Sequence, residues 1–166
     1  MTMNRNGVMN LLILRRIIFD PVDLLAWRLF DHSRSRDFKR TSLRLVQLAE
    51  KEPQIKLWHP ILFGILLIES RERSRTVRVF EWIIFWTHLR SHVTCGVFQM
   101  VNAPFRFEKA AREVVTRLSD YGCIPTCSEE TLNPIAKVWN GAAEKQPGAC
   151  IGYAKALNIA IQFRST

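Results

Sequence analysis

One stretch limits what this chain can fold into more than any other. Residues 61 to 68 read "ILFGILLI", and Glu69-Ser70 follow with no break. A segment that is apolar all round has to be buried, because no face of it suits water. Pro60 stands at its front, at a position that suits the first turn of a helix. The spacing therefore predicts a buried helix over "HPILFGILLIES" at the centre of a domain. Glu69 is then a carboxylate at the end of the least polar helix. A carboxyl group held against apolar walls resists ionisation, and that is the condition for a general acid near neutral pH. The plainer alternative is a solvated Glu at a helix terminus.

The surrounding pattern is helical. Residues 8 to 19 and 21 to 31 read as helices, with Pro21 opening the second. "HSRSRD" is a polar joint. "DFKRTSLRLVQLAEKE" carries Phe38, Leu43, Leu45, Val46 and Leu48 as an apolar stripe and stops at Pro53. "VRVFEWIIFWTHLRSH" is expected as a helix on its length, although its β-branched and aromatic content would also suit a strand. "VTCGVFQMVNAP" reads as short and irregular. "RFEKAAREVVTRLSDYG" is an amphipathic helix ended by Gly122. "SEETLNPIAKVWNG" is a helix with Ser128 as its cap and acidic residues in its first turn. "ACIGYAKALNIAIQF" closes the chain as an apolar, Ala-rich helix. The expected fold is mainly α: a single domain around a central buried helix, with at most a small β element. Residues 1 to 50 are expected as an N-terminal helical extension that packs on the domain, and 51 to 166 as the domain itself.

With 166 residues, 48% hydrophobic and 23% charged, the chain can bury a real core and is not of disordered composition. Its net charge of +9 seeks a polyanion: nucleic acid, an anionic lipid surface or an acidic wall polymer. No zinc-finger spacing and no RNA-binding signature accompanies that charge, which ranks nucleic acid lower among the partners. The N-terminal "VMNLLILRRIIFDPVDLLAW" is interrupted by Arg15, Arg16, Asp20 and Asp23, so it lacks the ~18 uncharged residues of a spanning helix. It reads as an amphipathic segment suited to packing or to a membrane surface, and it carries no clear signal peptide. The four cysteines, Cys95, Cys123, Cys127 and Cys150, allow two disulfides or buried free thiols, and both readings stay open. No His lies near Cys123 and Cys127, and His88 and His92 lack a third ligand, so no metal site and no cofactor is expected.

Four pieces then occur in order: Glu69-Ser70 at the end of the buried helix, Gly96-Val97-Phe98-Gln99-Met100, Trp139-Asn140-Gly141, and Tyr153-Ala154 in the last helix. Together they resemble the lysozyme superfamily, in its lytic transglycosylase and goose-type lysozyme branch. The resemblance covers residues 57 to 160 and leaves out the first fifty. Val97 and Phe98 stand where that branch has Leu and Met, and Trp139 stands where it has Tyr, which loses the hydroxyl. The resemblance implies a lysozyme-like fold and cleavage of peptidoglycan between N-acetylmuramic acid and N-acetylglucosamine. It implies Glu69 as the single catalytic acid and base. It implies Ser70 as a holder of the substrate or of the Glu69 carboxyl. Gln99, with the backbone around Phe98 and Met100, would meet the N-acetyl groups. Asn140 would support the cleft floor, and Tyr153 would orient Glu69 by a hydrogen bond. The implied place of work is the cell envelope.

Many glycosidases use two carboxylates. Glu72 falls in the charged "RERSR" run, and Glu81, within "VFEWIIF", is the one buried candidate for a second. A lone Glu favours the lytic product over hydrolysis. A related alternative is a peptidoglycan glycosyltransferase acting on a lipid-linked substrate, with Glu69 as base and Glu113 as second acid. An alternative of another class is a basic helical module without catalysis that binds nucleic acid or membrane.

Overall fold

The computed structural model describes residues 21–72, 79–80, 83–84, 87, 94–95, 98–101, 106–140 and 152–165. Six helices carry this part of the chain. They are α1 (Pro21–Ser33), α2 (Arg36–Lys51), α3 (Pro53–Glu72), α4 (Phe107–Asp120), α5 (Glu129–Asn140) and α6 (Tyr153–Gln162). A 3-10 turn, Phe163–Ser165, follows α6. The protein is mainly α-helical, as its periodicity predicts. The helix expected over residues 8 to 19 lies outside the described residues, as do Glu81, His88 and His92.

α3 is the axis of the fold. Ile61, Leu62, Ile65, Leu66 and Leu67 are fully buried, and Phe63 and Ile68 nearly so. α3 packs against α1, α2, α4 and α6, and four neighbours are what a helix apolar on every face requires. It begins earlier than the sequence suggests. Pro53, not Pro60, takes the first helical position, and Pro60 lies inside the helix. The reason is local: Pro53 already has the fixed φ of a helix start, and its missing N–H has no partner to lose there. An interior Pro removes one backbone hydrogen bond, and here burial of the following turns outweighs that cost.

α2 starts at Ser35, whose Oγ accepts a hydrogen bond from the Phe38 N–H at 3.2 Å. Phe38, Leu45, Leu48 and Ala49 form its buried face. Leu43 and Val46, expected in that stripe, are 56% and 39% exposed. Helix geometry explains the difference: Leu43 lies about 140° round the axis from Phe38, whereas Leu45 returns to within about 20°. Leu29, Phe38 and Leu45 belong to the same apolar cluster as α3, α4 and α6. Residues 21 to 50 are thus a structural part of one core.

Two short strands, β1 (Thr94–Cys95) and β2 (Met100–Val101), pair antiparallel, with Cys95 opposite Met100. At the turn between them Gln99 takes φ 52°. Within "VRVFEWIIFW", Val79–Phe80 and Ile83–Ile84 are helical. α4 buries Phe107, Ala110, Ala111, Val114, Val115 and Leu118. Gly122, just past its end, has φ 71°, a conformation that glycine adopts without steric cost. Cys123 and Cys127 are free thiols, and partial burial lifts the Cys123 thiol above its ordinary range.

Gly64 is where two helices come closest. A Cβ built there would lie 2.6 Å from Leu157 Cδ1 and 3.0 Å from Ile161 Cγ1 of α6. The missing side chain lets α6 lie tightly along α3. That approach places the start of α6 beside the end of α3, where the candidate site forms.

Candidate active site

Glu69 sits in the last turn of α3, half-buried, between the fully apolar Leu67–Ile68 and the buried Ser70. Two side chains from other helices meet its Oε1. Tyr153 Oη, on the first residue of α6, donates a hydrogen bond at 2.8 Å. Trp139 Nε1, near the end of α5, donates a second at 3.1 Å. α5 lies against α6, so both donors come from one packed helix pair. Hydrogen bonds to a carboxylate are stronger than neutral ones. Two of them on one oxygen hold that oxygen in place.

The indole is supported in turn. The Arg117 guanidinium of α4 lies over its ring, 6.0 Å from the centroid. A cation over the face draws electron density from the ring, and that makes the indole N–H a better donor to Glu69. α3, α4, α5 and α6 therefore all contribute to this corner.

Ser70 is 7% exposed and its hydroxyl is committed elsewhere. Its Oγ lies 2.9 Å from His32 Nε2 and 3.4 Å from the Leu67 carbonyl. Successive residues on a helix point about 100° apart, which is why Ser70 meets α1 while Glu69 meets α5 and α6. The His32 ring packs on Phe38 at 5.6 Å. Ser70 thus ties α1 to the end of α3, a role other than the substrate or carboxyl contact that the resemblance implies.

Phe98 and Met100 are core residues, 1% and 5% exposed. Phe98 stacks on Phe107 with centroids 5.7 Å apart. Phe98 anchors the turn on α4, and with both side chains buried only their backbone is left for a ligand. Gln99 between them is half-buried at the positive φ. Asn140, the last residue of α5, is half-buried beside Trp139. The structure therefore gathers Glu69, Trp139 and Tyr153, and places Gln99 on the turn between β1 and β2. Glu113 is on the exposed face of α4.

Two residues of this corner escape a reading of the motifs. Trp139 counts there as a Tyr without its hydroxyl, but indole retains a donor, the N–H, that reaches the same carboxylate. His32 lies outside the span of the resemblance, and no local spacing marks it. Among the described residues no three His, Cys, Asp or Glu side chains gather to hold a metal ion, and no helix is long and apolar enough to cross a membrane. No family model matches the chain, and no curated protein or solved structure matches it.

Proposed function

We propose that the protein cleaves peptidoglycan as a lytic transglycosylase, with Glu69 as its single general acid and base. The observation that carries this reading is the pair of hydrogen bonds from Trp139 and Tyr153 to one oxygen of a half-buried carboxyl group. A side chain that must hand over and then take back a proton needs a fixed position more than it needs a second charge. Protonated Glu69 gives its proton to the oxygen between N-acetylmuramic acid and N-acetylglucosamine, and the glycosidic bond breaks with that oxygen as leaving group. The Glu69 carboxylate then takes the proton of the muramic 6-hydroxyl as its oxygen bonds to the anomeric carbon. The product is a 1,6-anhydro sugar, and Glu69 ends protonated as it began. Trp139 and Tyr153 act on Glu69, and Gln99 on its turn meets the N-acetyl groups. The net charge of +9 suits the anionic wall and its acidic polymers, and the cell envelope is the place of work this reading proposes. The glycosyltransferase alternative is weaker, because Glu113 is exposed on the outer face of α4.

The test is purified peptidoglycan incubated with wild type and with Glu69→Gln, the soluble products read by mass. Anhydro-muropeptides from wild type alone are the expected result. Products heavier by one water would mean hydrolysis, as in a lysozyme. No product from either protein would move the assignment to a basic binding module or to synthesis from a lipid-linked precursor.

A further inference from the structure

Phe63 is six residues before Glu69 on α3, about 240° round the axis, and so belongs to another side of the molecule. There a cleft of about 610 Å³ opens between the end of α1, the start of α2 and the 3-10 turn after α6. Its floor is Phe38 and Phe63, both buried, with rings meeting edge-on at 5.4 Å. Phe30 and Phe163, 5.8 Å apart, form one wall. Around this aromatic lining stand three cations, Arg34, Lys39 and Arg164. All three are exposed, and none is engaged in an ion pair among the described residues. Arg34 lies over the Phe30 ring at 5.4 Å, which holds its guanidinium at the wall.

Among the described residues no carboxylate lines the cleft. The two hydroxyls at its rim are already used: Ser33 Oγ donates to the Phe30 carbonyl at 2.6 Å and Ser42 Oγ to the Lys39 carbonyl at 3.1 Å. Recognition of a polar ligand therefore falls to the cations. Three like charges brought to one hollow repel each other, and an anion relieves that repulsion. Two of the three are arginines, whose planar forks match phosphate oxygens. The four rings supply an apolar surface next to the charges, which a bare inorganic ion would leave unused.

We propose that this cleft binds an organic phosphate: a phosphate group held by Arg34, Lys39 and Arg164, joined to an apolar body that lies on the phenylalanines. The site is separate from Glu69 and stands whether or not the chain cleaves peptidoglycan. A phospholipid headgroup with the start of its chain and a soluble phosphate ester share this chemistry.

Hexyl phosphate is the probe, followed by titration calorimetry on the full chain. One-to-one saturable binding is expected, with inorganic phosphate and hexanol each at least tenfold weaker. The double variant Arg34→Ala/Arg164→Ala should bind at least tenfold more weakly, at an unchanged melting temperature. Lys51→Ala/Lys109→Ala removes the same charge from exposed positions outside the cleft and should bind as wild type. Loss of binding in both pairs, binding of inorganic phosphate as tight as that of hexyl phosphate, or no saturable binding at all would each overturn the proposal. Sedimentation with phosphatidic acid vesicles and not with phosphatidylcholine vesicles, lost in Arg34→Ala/Arg164→Ala, would support the site with a lipid as its source. Hexyl phosphate binding without such sedimentation would support it with a soluble ester.

Discussion

Tyr153 and Glu69 are 84 residues apart in the chain, yet the phenol Oη donates to the carboxylate Oε1 at 2.8 Å. The contact joins the first turn of α6 to the last turn of α3. If Glu69 is the proton donor, Tyr153 and Trp139 are positioning residues. A hydrogen bond to a charged group contributes about 1.5–3 kcal/mol. Tyr153→Phe should therefore lower kcat about tenfold to a hundredfold with KM nearly unchanged. Trp139→Phe should act alike, and the double variant should lose less than the product of the two. Steady-state kinetics on peptidoglycan fragments check this, and strictly multiplicative losses would mean that the two donors act independently.

His32 and Ser70 should be coupled in stability. Their side chains meet at 2.9 Å at a buried hydroxyl. Ser70→Ala and His32→Ala should each cost about 1 kcal/mol, the usual net contribution of one hydrogen bond. The double variant should cost about 1 kcal/mol less than the sum. Denaturant unfolding of the four proteins measures it, and an additive result would deny the bond a role in stability.

Gly64→Ala sets helix propensity against packing. Alanine favours a helix by about 1 kcal/mol over glycine. Its Cβ would meet Leu157, which is fully buried, and the Cγ1 of Ile161. Overpacking of this kind costs about 1–3 kcal/mol, so the variant should melt lower despite its better propensity. Because α6 carries Tyr153, turnover should fall as well. A higher melting temperature would show that α6 can yield at this crossing.

Stability should fall on mild acidification through His59. Its Nε2 is buried without a hydrogen-bond partner among the described residues. Burial first, and then the nearby Arg164 charge, hold its pKa below the ordinary value of 6.5. The hollow beside it also carries Glu50 and Lys56. The unfolded chain takes up a proton near pH 6.5 that the folded protein resists. The stabilisation from neutral His59 is thus complete above about pH 6.5 and is lost as pH falls towards the lower folded value. The melting temperature should drop between pH 7.5 and 5.5, and less so in His59→Phe. Parallel curves for the two proteins would remove His59 from the account.

Gln99→Ala should weaken substrate binding more than it unfolds the protein. The residue holds φ 52° between the buried Phe98 and Met100. Gln99→Gly relieves that conformation and should be as stable as wild type or up to about 1 kcal/mol more so. Both variants should raise KM if the side chain meets the sugar. A collapse of the melting temperature in Gln99→Ala would make Gln99 structural instead.

The helical fold was legible because its strongest signals are local. The run from Ile61 to Ile68 has one physical solution, burial on every side, and the stripe from Phe38 to Leu48 has the period of a helix. What escaped was geometry at finer grain. Leu43 and Val46 are apolar but fall off the buried face, and a list of hydrophobic positions does not weigh angle against count. Pro60 reads as a helix start in isolation, and only Pro53 upstream shows that the helix is already under way. At the site, Glu69 and Tyr153 stand out by residue type and order. The Trp139 and His32 contacts span 70 and 38 residues, and pairings at that range depend on how helices dock rather than on any spacing along the chain.

The indole that holds Glu69 is also a chromophore. Of the five tryptophans in the chain, Trp58 is sealed in the core, while Trp139 is half-buried with its N–H on the carboxylate and a guanidinium over its ring. Any change in what surrounds the Glu69 carboxyl changes the field at the indole bonded to it and so shifts its emission. The difference in fluorescence between wild type and Trp139→Phe is then a label-free signal from the site itself. With it, events at this corner become optical quantities, read by comparing the wild type with a single variant.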